Sequence, residues 1–132
     1  MGIKHAHPDL LDNGLAHMKA NVNRIALISN YAKGDSYATV VARILAQIAT
    51  TTAEFTLDSV GDDRRLTSPA KQANATATIA ARTTDPNNDL HFAFLTADNR
   101  VLYVTDETTD MAVTSGNGIN FPALPYTSKY PV

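Results

Sequence analysis

The chain has 132 residues, of which 44% are hydrophobic and 18% charged, with a net charge of −2 and no cysteine. That length suits one domain with a core of its own, and the lack of cysteine excludes disulfides, thiolate metal sites and cysteine nucleophiles. Arg64-Arg65 is the largest basic cluster, too small for a surface that tracks nucleic-acid phosphates. The opening residues carry no apolar run of secretory type, and no stretch approaches the ~20 apolar residues of a membrane span. The expectation is therefore a protein that neither crosses a membrane nor carries a visible export signal.

Residues 1–7 read as a flexible lead. Pro8 suits a first helical turn, where its missing N–H costs nothing. Leu11, Leu15, Met18 and Val22 then follow the spacing of one helical face, so a helix is predicted over 8–21. The run Arg24-Ile25-Ala26-Leu27-Ile28 reads as a buried strand, followed by a loop containing Asn30, Gly34 and Asp35. A short helix is expected near 36–42, then extended chain into Thr50-Thr51-Thr52. Glu54 to Leu57 alternates like a strand, Gly61-Asp62-Asp63 turns, and Arg65-Leu66-Thr67 is extended again. Ala75 to Ala81 is expected as a strand on the strength of Thr76, Thr78 and Ile79.

The strongest β pattern lies at Leu90 to Thr96 and Val101 to Thr105, joined by Ala97-Asp98-Asn99-Arg100. This predicts a hairpin with a four-residue connection. Leu90, Phe92 and Phe94 point one way, Ala93 and Leu95 the other. A strand apolar on both faces belongs inside a sandwich or at a subunit interface. Ser115-Gly116-Asn117-Gly118 is another turn. Residues 121–132 hold three prolines, which exclude a helix interior and a central strand. Their Phe, Leu and Tyr side chains would be wasted in a free tail. An extended arm is predicted, with Phe121, Pro122, Leu124, Pro125, Tyr126 and Tyr130 as candidate partner-binding residues. The fold class read from these elements is α+β. An N-terminal helix packs on an antiparallel sheet or small β-sandwich, and the chain forms a single domain, 1–132, whose helix and β-rich core span 8–120 before the arm.

Candidate chemistry is sparse. His5, His7 and Asp9 form an incomplete donor set for a metal. The adjacent pairs Asp62-Asp63 and Asp106-Glu107 are expected to diverge or share a solvated turn, where catalytic carboxylates must converge. The sequence has no Gly-x-Ser-x-Gly, no dinucleotide fingerprint and no calcium loop. The reading is a binding protein, not an enzyme, with no catalytic residue, metal or cofactor assigned.

A further set of sequence pieces carries a resemblance. Asp9-Leu10-Leu11-Asp12 is followed by the stretch Asn21-Val22-Asn23-Arg24-Ile25-Ala26-Leu27-Ile28-Ser29, then by Tyr37-Ala38-Thr39. Phe55-Thr56-Leu57 and Arg64-Arg65-Leu66-Thr67 come next, and the series closes with Ser115-Gly116-Asn117-Gly118-Ile119-Asn120-Phe121-Pro122. In this order they resemble the small structural proteins of tailed bacteriophages, over most of the chain. The stretch after Pro122 is longer than that pattern. The resemblance implies a virion component of the capsid decoration, or cement, type, made in the bacterial cytoplasm. It further implies a homotrimer whose partner is the major capsid protein. The alternatives are a tail or neck component (tube, terminator or fibre-associated) and, from a different class, a small metal-dependent hydrolase built on His5, His7 and Asp9.

Overall fold

The computed structural model describes residues 14–61, 63–81, 88–107 and 111–129. Helix α1 spans Leu15–Asn21 and runs directly into strand β1, Val22–Ile28. Of the predicted helical stripe, Leu15, Met18 and Val22 are buried, while Leu11 and the rest of 8–13 lie outside the described residues. The Asn21 side chain donates to the His17 carbonyl at 2.8 Å, satisfying one of the acceptors that a helix end leaves open. Lys19 donates to the carbonyls of Thr52 and Phe55, at 2.9 and 2.7 Å.

Helix α2, Tyr37–Ala42, begins at Ser36, whose hydroxyl accepts from the Thr39 N–H. It leads into β2, Ile44–Ala49, so the expected short helix followed by extended chain is what forms. A 3-10 turn at Thr52–Glu54 precedes the β3–β4 hairpin, Thr56–Val60 and Asp63–Thr67. Gly61 takes φ +62° at its bend, a conformation that suits glycine.

The expected strand at 75–81 is corrected. Strand β5 is Lys71–Asn74, and 75–81 contributes one isolated bridge, Ile79 to Val113. The reason is where the backbone groups go. Ala75 N–H donates to Asn117 and Ala75 C=O accepts from Gly116, while Thr76 N–H donates to Leu45 on the edge of β2. The chain turns at the point where the pattern of Thr and Ile suggests it should run straight.

The predicted hairpin forms as β6, His91–Thr96, and β7, Val101–Asp106. Strand β8 is Gly118–Phe121 and β9 is Pro125–Ser128. The fold is α+β, with antiparallel sheets predominating. A four-stranded sheet has the order β2-β1-β6-β7, a three-stranded sheet β3-β4-β9, and β5 pairs with β8.

The central sheet has an apolar cluster on each face, because successive residues of a strand point to opposite sides. Ile25, Leu27, Ile48, Phe92 and Phe94 join Leu15, Met18, Phe55, Leu66, Ala75, Val113 and Phe121 in the main core. Ala26, Ile28, Ala93 and Leu95 form the second cluster with Val40 of α2. The two-sided apolar character of β6 is thus explained within one chain. As an interior strand it buries both faces, and neither is left for a partner.

The segment predicted as an extended arm is, over its described residues, paired into these sheets. Phe121 ends β8 opposite Lys71 and is 2% exposed. Its ring sits 5.4 Å from that of Phe92. Leu124 and Ser68 exchange two hydrogen bonds, Ser68 N–H to the Leu124 carbonyl at 3.0 Å and Leu124 N–H to the Ser68 hydroxyl at 2.9 Å. Strand β9 then adds to β4 with Leu66 opposite Tyr126. The prolines are respected: β9 is the outer strand of its sheet, and Pro125 is its first residue, the position where a missing donor does least harm.

Candidate functional site

Among the described residues, two places are candidates for function: the C-terminal segment and a group of titratable side chains at the base of the β6–β7 hairpin. The six candidate partner-binding residues divide sharply. Phe121 is a core residue. Pro122 and Pro125 are exposed, and Leu124 and Tyr126 are half-buried. Tyr130 lies outside the described residues. The Tyr126 ring packs edge-on against Tyr103 at 4.7 Å, and Tyr103 packs against Phe94 at 5.4 Å. This aromatic series ties β9 to the hairpin. Of the six, Pro122, Leu124, Pro125 and Tyr126 keep solvent-accessible surface among the described residues.

The charged residues mostly pin local structure. Arg65 grips Asp58 with two hydrogen bonds, Nε to Oδ1 at 3.1 Å and Nη2 to Oδ2 at 2.7 Å, which holds the Asp58 carboxyl below the ordinary aspartate range. The Ala32 N–H, with Arg43 behind it, does the same for Asp35. The Thr96 hydroxyl, followed by Arg100, does so for Asp98 in the hairpin connection. These carboxylates are stabilised in their ionised form, opposite to the raised pKa that a general acid needs. A cleft of about 540 Å³ between Asn21, Val22, Thr50, Thr52 and Asp98 contains one carboxylate, the tethered Asp98.

Glu54 makes a longer connection. Its carboxylate caps the 3-10 turn by accepting from Thr51 N–H at 2.8 Å and meets Lys71 of β5 at 2.5 Å. Lys71 also donates to the Ala49 carbonyl at the end of β2. Lys71 first, and the Thr51 N–H second, hold the Glu54 carboxyl below the ordinary glutamate value. A carboxyl lowered in the folded state stabilises the fold above its unfolded pKa and loses that contribution as pH falls through the lowered value. Melting temperatures between neutral pH and about pH 3 should therefore fall less steeply for Glu54→Gln than for the parent chain. Parallel curves would show that the contact is fully screened by solvent.

His5, His7, Asp9 and Asp62 lie outside the described residues. Glu107, one residue past β7, donates its N–H to the Leu90 carbonyl at 2.8 Å, and Asp106 lies opposite His91 across the hairpin. That pairing creates a cluster the sequence reading passes over. Donor atoms of Asp89, His91 and Asp106 all lie within 4.8 Å of one another. His91 Nε2 is 3.7 Å from Asp106 Oδ1, and His91 Nδ1 is 2.7 Å from the Asp89 carbonyl. The available signal was the period of two in Asp89-Leu90-His91, which places both side chains on one face of extended chain. Hairpin register then brings Asp106 alongside.

No family model, curated protein or solved structure matches this chain.

Proposed function

We propose that the chain is a virion structural protein of the capsid decoration, or cement, type. It acts by binding and stabilising the shell of the major capsid protein, as a homotrimer, and not by catalysis. The observation that carries this reading is the ordered resemblance to small tailed-phage structural proteins. Its pieces fall on successive elements of one fold. Asn21 to Ser29 covers β1, Tyr37 opens α2, Arg64 to Thr67 lies in β4, and Ser115 to Pro122 makes the turn into β8 and its end.

The physical character of the molecule supports the same reading. Cross-strand pairing of distant segments gives a stiff scaffold, and Pro122 and Pro125 stand exposed on a chain segment whose backbone is already ordered. A partner that docks there meets a surface with little conformational entropy left to lose. Many weak contacts of this kind over a shell accumulate through avidity.

Quantitative mass spectrometry of purified particles tests the reading. A decoration protein is expected on the order of hundreds of copies per particle, as repeated valency requires, and in the same fraction as the major capsid protein. A copy number matching a single ring of subunits would overturn it in favour of a tail or neck component. Absence from particles would overturn both.

A further inference from the structure

We propose that Asp89, His91 and Asp106 form a binding site for a divalent transition-metal cation such as Zn²⁺ or Mn²⁺. The inference is independent of the virion reading and starts from the orientation of one ring. The Asp89 carbonyl can only accept, so the contact at 2.7 Å places a proton on His91 Nδ1. In the neutral ring Nε2 is then a bare lone pair. It faces the Asp106 carboxylate oxygen at 3.7 Å, with the Asp89 carboxylate close by. A cation bound there would be shared by the imidazole and the two carboxylates. A backbone carbonyl on the distal nitrogen is also the usual way that a metal-ligating histidine is oriented and made more basic.

The three donors lie within 4.8 Å of one another, a separation that side-chain rotation has to shorten before one ion is held by all of them. Bonds of about 2.0–2.2 Å to nitrogen and oxygen place neighbouring donors roughly 3.0–3.5 Å apart. Nε2 and Oδ1 need to close by a few tenths of an ångström. One imidazole and two carboxylates form a borderline-hard donor set, appropriate to zinc or manganese, with further positions left for water.

The framework beneath the donors is rigid. His91 and Asp106 are directly opposed in the β6–β7 ladder, and His91 also pairs with Ile28 of β1. Asp89 is held by its N–H to the Ser29 carbonyl at 2.9 Å. A bound ion would fasten the open end of the hairpin to the segment that enters it.

The competing explanation is a proton in place of the metal, giving a simple His91–Asp106 ion pair. Titration of the chelator-stripped full chain with MnCl₂ and ZnCl₂, followed by manganese electron paramagnetic resonance and by calorimetry, separates the two. The proposal expects saturable binding at this site and a higher melting temperature with the ion present. Asp106→Asn and His91→Gln should each weaken binding by roughly ten-fold or more, whereas a His5→Ala/His7→Ala variant should keep it. Asp106 is 56% exposed at its side chain, so Asp106→Asn should fold normally, which its metal-free melting curve checks. No saturable binding at millimolar metal would overturn the proposal. So would unchanged binding in both site variants, or its loss in the His5/His7 variant.

Discussion

Replacing Phe121 with alanine is expected to lower the free energy of unfolding by about 3–5 kcal/mol, the usual cost of deleting a fully buried aromatic ring. The ring is 2% exposed and packs on Phe92, whose strand is interior to the central sheet. Removing it leaves a cavity where β8 meets β6, and well-packed neighbours on both sides limit how far that cavity can collapse. Pro122→Ala, one residue further on and exposed, should change stability by no more than about 0.5 kcal/mol. Urea denaturation of both variants, with unchanged slope, makes the comparison. A small effect for Phe121→Ala would mean that the ring contributes little to the fold and is available to a partner.

Deleting residues 121–132 should prevent stable folding. The deletion removes Phe121 from the core and strand β9 from β4. It also strips Tyr103 of the ring that packs against it. The Phe121 term alone is a large fraction of the roughly 5–15 kcal/mol that holds a domain together, and β4 would gain an unpaired edge prone to association. The shortened chain is expected to lack a cooperative urea transition and to accumulate as aggregate. A truncated protein that melts cooperatively near the parent temperature would instead mean that the segment is a docked arm that the domain can do without. An extended arm outside the domain core would give that second outcome, and the pairing of β9 with β4 is why the first is expected.

The same segment shows why sequence reasoning stopped where it did. Three prolines argued correctly against a central strand. They could not say that Pro125 would begin an outer strand, because the partner, Thr67, lies far back in the chain. The Ala75–Ala81 strand failed for a related reason. Its residues have the propensity, but the N–H groups of Ala75 and Thr76 are claimed by Asn117 and by the edge of β2. Lys71–Asn74, with no strand-like pattern, pairs with β8 because that is where the ladder falls.

The His91 cluster marks the same boundary for function. Single-chain patterns revealed Asp106 and Glu107 as neighbours in sequence. The group that matters, Asp106 with His91, exists only across the hairpin. By contrast β1, α2 and the β6–β7 hairpin were legible, since each is defined by local periodicity or a turn.

The sequence by itself therefore determined the elements whose signals are local: the apolar stripe entering β1, the short helix near 36–42, the hairpin around 97–100, and the α+β class. It also established the two-sided apolar character of β6. Only the tertiary structure decided that this strand is interior to the sheet, that Phe121 belongs to the core, and that Asp89, His91 and Asp106 converge. Those outcomes depend on pairing between residues distant in the chain, where burial and hydrogen-bond register outweigh local preference.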